Sequence, residues 1–311
     1  MSTQPTAFSH DPVMVREITE LFASVPHGFL LDATLGGAGH ATAILDAHPG
    51  LSVLGLDRDP AALAASRERL APYGDRVMLQ HRRFDDLDAA MLEAGIAELS
   101  GALFDLGVSS HQFDSGERGF SYRHDAPLDM RMDTTEATTA ADVVNQASEI
   151  EIAQILREYS DEKFAGRIAR AIISARPIHT TSELADIVAS AIPAPARRRG
   201  GHPAKRTFQA LRISLNKELE ILPNAIDSAV RRTGSGGRVA VLSYHSGEDR
   251  IIKARFKQHA TGGCECPSQL PCGCGAQRIV RLVRVASKPS SVEQEKNPRS
   301  TSARLRVAEV I

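Results

Sequence analysis

Apolar and polar positions change period repeatedly along the first third of the chain. Short apolar runs, typical of buried strands, alternate with longer segments whose apolar residues recur at helical spacing. The predicted strands are 29–32, 51–56, 76–80 and 101–105, and the predicted helices are 38–47 and 60–70. Strands that alternate with helices predict βαβ units and a parallel sheet covered by helices, so we expect an α/β fold.

The alternation of strand-like and helix-like segments ends after residue 110. A polar, glycine-containing stretch at 112–133 has no clear period and is predicted to be a functional loop, and 141–192 carries apolar residues at helical spacing. A linker rich in Pro, Gly and Arg at 193–203 precedes a predicted amphipathic helix at 207–222 and a late strand at 236–243. We therefore predict three parts: 1–110 as the first part of a core domain, 111–206 as a loop and helical insertion, and 207–311 as the completion of the core.

Composition and charge narrow the class of protein. With 311 residues, 42% hydrophobic and 24% charged, the chain can build a sizeable core, and it contains no long uncharged apolar run typical of a membrane span. The first ten residues lack the pattern of a signal peptide, so we expect a cytoplasmic protein with reduced cysteines. Residues 250–311 hold twelve Lys and Arg against four Asp and Glu, which suggests either a surface for a polyanion or a solvated basic face.

A glycine-rich turn follows the first predicted strand in Leu31-Asp-Ala-Thr-Leu-Gly-Gly-Ala-Gly-His40. Glycines allow close approach of a ligand, and the following helix offers free N–H donors. Asp57 ends the second predicted strand, where a carboxylate can bind both hydroxyls of a ribose. Together these features indicate a cofactor that contains adenosine; the alternative is a tight turn with a solvated Asp.

Two adenosine cofactors fit this arrangement. The dinucleotide pattern G-x-G-x-x-G is incomplete, because counting from Gly37 places Thr42 at the third glycine. Asp32 immediately precedes the turn, where its carboxylate would attract the ammonium of a methionine moiety and repel a pyrophosphate. The sequence therefore favours S-adenosylmethionine over a nicotinamide dinucleotide.

Asp105 ends the fourth predicted strand, at the edge where doubly wound sheets bind ligands. We predict it as the catalytic group, accepting a hydrogen bond from an amine that is being methylated; the alternative is an Asp that caps a turn. Phe120 and Tyr122 could stack on a nucleobase, with Arg118 or Arg123 on a phosphate, although ordinary loop packing is the better explanation of this stretch taken by itself. The segments 197–206 and 243–250 could contact phosphate and line a substrate pocket, or simply cap helices.

Four cysteines form a C-x-C-x5-C-x-C pattern: Cys264, Cys266, Cys272 and Cys274. Such thiols could close a zinc site, but C-x-C is tighter than the usual C-x2–4-C spacing. Zinc is thus possible without being favoured, and we predict no metal for the reaction.

Several motifs in order resemble the MraW/RsmH family, the S-adenosylmethionine-dependent N4-cytidine methyltransferases of small-subunit ribosomal RNA. The resemblance extends over nearly the whole chain. The matching motifs are Asp32-Ala-Thr-Leu-Gly36, Asp105-Leu-Gly-Val-Ser-Ser110, Arg118-Gly-Phe-Ser121, Leu128-Asp-Met-Arg-Met-Asp133, Phe208-Gln-Ala-Leu-Arg212, Ser246-Gly-Glu-Asp-Arg250 and Asn297-Pro-Arg299.

The resemblance implies a Rossmann-like class I methyltransferase sheet with an inserted helical subdomain, and methylation of one cytidine near the decoding site. The implied partner is small-subunit ribosomal RNA or the small subunit, with no DNA and no membrane. The implied cofactor contacts are Ala38, Gly39, His40, Asp57, Phe84, Asp105 and Gln112. Two rivals stay open: a nicotinamide-dependent oxidoreductase, and a ribosome-assembly factor that binds RNA without catalysis.

Overall fold

A seven-stranded sheet in the order β3-β2-β1-β4-β5-β7-β6 forms the centre of the fold in the computed structural model, which describes residues 12–108, 112, 116–197, 201–267 and 273–311. The first five strands run parallel, and β7 lies antiparallel between β5 and β6. The strands are β1 Gly28–Asp32, β2 Leu51–Asp57, β3 Val77–His81, β4 Leu99–Asp105, β5 Thr233–Ser243, β6 Val280–Val283 and β7 Arg304–Val310. The predicted α/β, Rossmann-like class is confirmed.

Helices cover this sheet and also build a second unit. They are α1 Val15–Leu21, α2 Gly39–Ala47, α3 Pro60–Leu70, α4 Leu87–Ala94, α5 Ala140–Gln146, α6 Glu149–Ser160, α7 Ala165–Ala175, α8 Thr181–Ala191, α9 Ala194–Arg197, α10 Lys205–Asn216, α11 Glu218–Arg232, α12 Ser246–Thr261 and α13 Ser291–Lys296. Short 3-10 turns occupy Ala71–Arg76, Phe84–Asp86, Gly116–Arg118 and Pro298–Ser302. Within the described residues, no helix is both long and apolar enough to cross a bilayer.

The described residues divide into two compact units. One lies within Met1–Gly107 and Leu219–Ile311 and contains the sheet, and the other lies within Val108–Glu218. Each has its own apolar core: Leu31, Leu54 and Phe104 are buried in the first, whereas Ile152, Ile168 and Leu211 are buried in the second. The sheet domain is thus interrupted by a helical unit and completed after it.

The second boundary differs from the sequence-based division, which ended the insertion at residue 206. The predicted helix 207–222 breaks at Lys217, whose backbone is left-handed with φ 53°, so that α10 and α11 are separate. The Asn216 side chain stabilises the break by bonding to the backbone of Met130 and Met132. Helix α10 therefore packs in the core of the second unit. Strands β6 and β7, which the sequence did not predict, complete the sheet.

Candidate active site

Three carboxylates stand at the carboxyl ends of neighbouring strands. Asp32 ends β1, Asp57 ends β2 and Asp105 ends β4, and β1 pairs in parallel with both other strands. Parallel strands carry their carboxyl ends to one edge of the sheet, where α/β proteins bind ligands. The strand-end positions are those that the sequence predicted, and the structure brings the three groups to one edge.

Thr34 joins two of these strand ends. The Asp105 backbone N–H donates to Oγ1 of Thr34 at 2.6 Å, and the Thr34 N–H donates to Oδ1 of Asp32 at 3.3 Å. Asp32 is only 1% exposed. Its pKa is raised to about 7, mainly by burial and to a smaller extent by the negative charges of Asp105 and Asp57, against the opposing effect of the hydrogen bond from Thr34. This edge of the sheet therefore carries a high density of negative charge, and a cationic group would be attracted to it.

The Asp57 side chain is hydrogen-bonded to the backbone of the glycine-rich turn. Its Oδ2 accepts the Gly36 N–H at 2.7 Å, and its Oδ1 accepts the Asp59 N–H at 2.8 Å. Gly36 has φ +52°, the left-handed region that favours glycine. Burial raises the pKa of Asp57 to about 6, while these backbone bonds lower it. Each carboxylate oxygen keeps a second lone pair, so hydroxyl donors could still be accepted.

The turn leads directly into α2. Ala38 precedes the helix with φ 57° and ψ 28°, a left-handed conformation that is unusual for alanine. Gly39 begins the helix close to Pro12, and a Cβ built on Gly39 would lie 2.2 Å from the proline Cγ. A larger residue at position 39 would therefore displace the turn or the segment before α1.

His40 connects the turn to Asp105. Its Nε2 lies 2.9 Å from the Val13 carbonyl oxygen, and its Nδ1 lies 3.5 Å from Oδ2 of Asp105. A carbonyl can only accept, so Nε2 must carry a hydrogen. In a neutral ring Nδ1 would then face the carboxylate with a lone pair, and attraction requires a proton on one of the two groups. His40 thus links the segment before α1 and the glycine-rich turn to the end of β4.

Tyr244, directly after β5, is a partner of Asp105 that the sequence did not identify. Its hydroxyl donates to Oδ1 of Asp105 at 2.7 Å, and its backbone N–H donates to Oε2 of Glu248 at 2.7 Å. Burial, followed by the nearby Asp105, raises the pKa of the Tyr244 hydroxyl well above 10, so the hydroxyl stays protonated. The segment 243–250 was predicted to line a pocket or cap a helix; Glu248 and His245 do form the capping box of α12.

The remaining predicted cofactor residues lie in different units. Phe84 follows β3 and packs edge-to-face on Phe104, with ring centroids 5.8 Å apart. Gln112 is a buried residue of the second unit. The roles assigned to Phe84 and Gln112 stay predictions.

The aromatic residues of the loop after β4 are largely engaged inside the second unit. Phe120 is 5% exposed and carries the Arg118 guanidinium 5.8 Å from its ring centre, so it is not available for a nucleobase. Arg118 also donates to the Arg131 carbonyl at 2.9 Å. Tyr122 stacks on His202 with ring centroids 4.3 Å apart and 12° between the ring planes. For Phe120 and Arg118, loop packing is the correct interpretation.

Part of the basic C-terminal charge is paired within the sheet unit. Arg255 bonds to Asp227, Arg281 to Glu309 and Arg306 to Asp249. These ion pairs leave less charge for a polyanion than the count of basic residues suggests.

Comparison with known proteins gives matches over nearly the whole chain. A profile of the MraW methylase family matches residues 7–311. A protein named ribosomal RNA small subunit methyltransferase H from Mycobacterium sp. (strain KMS) is 50% identical over 315 residues, which cover 98% of this chain and 85% of that protein. Proteins with the same name from Heliobacterium modesticaldum and Thermobifida fusca are 49% and 50% identical; the alignments cover 98% and 97% of this chain and 99% and 93% of those proteins.

Proposed function

Because this chain belongs to the MraW methylase family, we propose that it transfers a methyl group from S-adenosylmethionine to the N4 amine of a specific cytidine near the decoding site of small-subunit ribosomal RNA. The relatives at about half identity are named for small-subunit ribosomal RNA. The cytidine and its N4 amine come from the motif resemblance.

The acidic strand-end edge is the observation that carries the choice of cofactor. S-adenosylmethionine presents a sulfonium and an ammonium, and both positive charges suit an edge that carries three carboxylates, where burial, and to a smaller extent the charges of Asp105 and Asp57, raises the pKa of Asp32 to about 7. A nicotinamide dinucleotide would bring a pyrophosphate to the same carboxylates, and like charges repel. The three carboxylates therefore favour S-adenosylmethionine over a nicotinamide dinucleotide as the cofactor.

Each part of the cofactor has a partner among the described residues. Asp32 would pair with the ammonium, and Asp57 would accept the ribose hydroxyls through the lone pairs that Gly36 and Asp59 leave free. Phe84 would lie against the adenine. The turn residues Ala38, Gly39 and His40 would hold the methionine end.

Asp105 would act on the nucleophile. When bound, S-adenosylmethionine supplies an electrophilic methyl group on its sulfonium. The cytosine N4 lone pair is delocalised into the ring, and a hydrogen bond from the amine to Asp105 increases its nucleophilicity. As N4 forms its bond to the methyl carbon, the bond from that carbon to sulfur breaks and the sulfur leaves as the thioether of S-adenosylhomocysteine. The amine loses one proton, which the Asp105 carboxylate can accept. General acid–base assistance of this kind contributes about 10²- to 10⁴-fold.

Tyr244 and His40 would position Asp105 from its two oxygens. The Tyr244 hydroxyl holds Oδ1 at 2.7 Å and the His40 ring lies 3.5 Å from Oδ2. A carboxylate that is hydrogen-bonded at Oδ1 and has the His40 ring beside Oδ2 loses less freedom when the amine binds, which supports an orientation role.

Exposed basic residues of the second unit would hold the RNA backbone. Arg197 ends α9, and Lys205 and Arg206 occupy the first turn of α10. Residues 198–200 lie outside the described part of the chain. The basic C-terminal segment would add the charge that its ion pairs leave available.

Transfer of labelled methyl from S-adenosylmethionine to small ribosomal subunits that lack the modification tests the proposal. Nucleoside mass spectrometry of the digested RNA should find the label as N4-methylcytidine. RNA binding without transfer would indicate an assembly factor, and stabilisation by NAD but not by S-adenosylmethionine would indicate an oxidoreductase. Asp105→Asn should abolish most turnover; full turnover with unchanged cofactor binding would refute the acceptor role.

A further inference from the structure

Three cysteine thiols converge in the loop between α12 and β6. The Sγ atoms of Cys264, Cys266 and Cys274 all lie within 4.8 Å of one another. Cys264 and Cys266 are half-buried, and Cys274 is exposed. In the described part of the chain, this is the group of His, Cys, Asp or Glu side chains whose donor atoms come close enough to share a metal ion.

The backbone holds both arms of this loop against the end of α12. Gly262 and Gly263 follow the helix with φ +63° and +73°, left-handed values that turn the chain sharply toward Cys264. The returning arm passes so close that a Cβ on Gly262 would lie 2.4 Å from the Gln277 carbonyl oxygen. The Ile279 N–H then donates to the His259 carbonyl at 3.2 Å. The segments 262–267 and 273–279, which carry the three thiols, are therefore joined next to the end of α12.

The thiol separations are close to those of a tetrahedral metal site. Zinc binds thiolate sulfur at about 2.3 Å, which places two ligands of one tetrahedron roughly 3.8 Å apart. Separations of up to 4.8 Å thus need inward movements of about an ångström. The distances between the sulfur atoms therefore favour a zinc site, which the tight C-x-C spacing alone did not.

We propose that Cys264, Cys266 and Cys274 bind a zinc ion through their thiolates and thereby fasten this loop. A donor set made of sulfur selects soft or borderline metals, and zinc is the common structural choice among them. Three thiolates and Zn²⁺ leave a net negative charge, which suits a segment rich in Lys and Arg. Cys272 lies outside the described residues, and the proposal concerns the other three cysteines.

Metal analysis of the full chain, purified anaerobically with reductant and without chelator, tests the site. We expect about one zinc per chain, and zinc-edge X-ray absorption should find at least three sulfur neighbours at about 2.3 Å. After removal of zinc, Co²⁺ should produce a thiolate-to-metal charge-transfer band. Mutating a residue that only hydrogen-bonds to a metal ligand lowers metal affinity by roughly 10- to 100-fold. Cys264→Ser and Cys274→Ser each remove a ligand itself, so each should lower the affinity by more than that.

Glu265→Gln is the matched control, because Glu265 is exposed between two of the ligands and carries no thiol. This variant should keep its zinc. Less than a tenth of an equivalent of zinc together with no cobalt band, or fewer than three sulfur neighbours, would overturn the proposal. A disulfide among these cysteines in the anaerobically reduced chain would overturn it too. The absorption measurement uses the unmodified protein and so does not depend on whether the variants fold.

Discussion

The Tyr244 hydroxyl donates a 2.7 Å hydrogen bond to Oδ1 of Asp105, across 139 positions of sequence. The contact exists because β4 and β5 are parallel neighbours, with Asp105 paired to Leu242 two residues before the tyrosine. Glu248 fixes the backbone of Tyr244 from the first turn of α12. The proposed acceptor is therefore oriented by a residue that the inserted unit separates from it in sequence.

Tyr244→Phe should lower the rate of methyl transfer about tenfold to a hundredfold and leave the cofactor dissociation constant almost unchanged. The substitution removes one hydrogen bond to a charged group, worth about 1.5–3 kcal/mol, without removing the ring. Single-turnover kinetics with saturating cofactor would measure the rate, and calorimetry the affinity. A merely structural hydroxyl would instead change stability and leave the rate at saturation intact.

Tyr73→Phe is the matched control for that measurement. The Tyr73 hydroxyl donates to Asp46 at 2.6 Å, but this pair lies away from the strand-end carboxylates, between the turn after α3 and helix α2. The control should keep the full rate of methyl transfer. An equal loss of rate in both variants would contradict the positioning role of Tyr244.

Cofactor affinity should fall as the pH decreases from 7 to 5. Asp32 has a pKa of about 7 without a ligand, so acid neutralises the carboxylate proposed to pair with the cofactor ammonium, which stays charged in this range. The decrease should approach about tenfold per pH unit. Binding at pH 7 should release roughly half a proton, which calorimetry in buffers of different ionisation enthalpy would detect. A pH-independent affinity would contradict the assignment.

Asp32→Asn should affect stability and binding in opposite directions. A carboxyl whose pKa is raised from 3.8 to about 7 by folding contributes stability below its ordinary pKa, and this contribution is lost as the pH rises through 7. The ligand-free variant should therefore melt at a higher temperature than the wild type at pH 8. Its cofactor affinity at pH 8 should be at least about tenfold weaker. Thermal melting with and without cofactor measures both effects.

The sequence predicted the strand-end carboxylates well because strand periodicity locates the ends of β1, β2 and β4, and parallel topology then brings them to one edge. It could not predict the Tyr244 contact, which depends on the register between distant strands. The helix break at Lys217 depends on the Asn216 side chain bonding to a distant backbone, a tertiary effect that local periodicity does not contain. Counting basic residues in the sequence likewise could not show which of them form ion pairs in the fold, as Arg306 does with Asp249.

Asp57→Asn should weaken S-adenosylmethionine binding about tenfold to a hundredfold. The amide keeps one acceptor oxygen but places donors where Gly36 and the ribose hydroxyls both donate. Asp59→Asn is the control: Asp59 caps α3 by accepting the Ala61 N–H at 3.0 Å, and asparagine caps as well. Thermal shifts should show stabilisation by S-adenosylmethionine in the control and wild type, and none by NAD in any chain. Stabilisation by NAD alone would reject the proposed cofactor.

Affinity for ribosomal RNA should fall steeply with salt, and Lys205→Ala should reduce the logarithmic salt slope by about 1. Lys205 and Arg206 are exposed in the first turn of α10, where the helix dipole disfavours cations, so phosphate contacts would offset that cost. Arg16→Ala removes another exposed charge, from α1, and should leave the slope unchanged. Arg281→Ala should change it less than Lys205→Ala, because Arg281 is already paired with Glu309. Filter binding across a salt series measures all four chains, and equal slopes would place the RNA elsewhere on the surface.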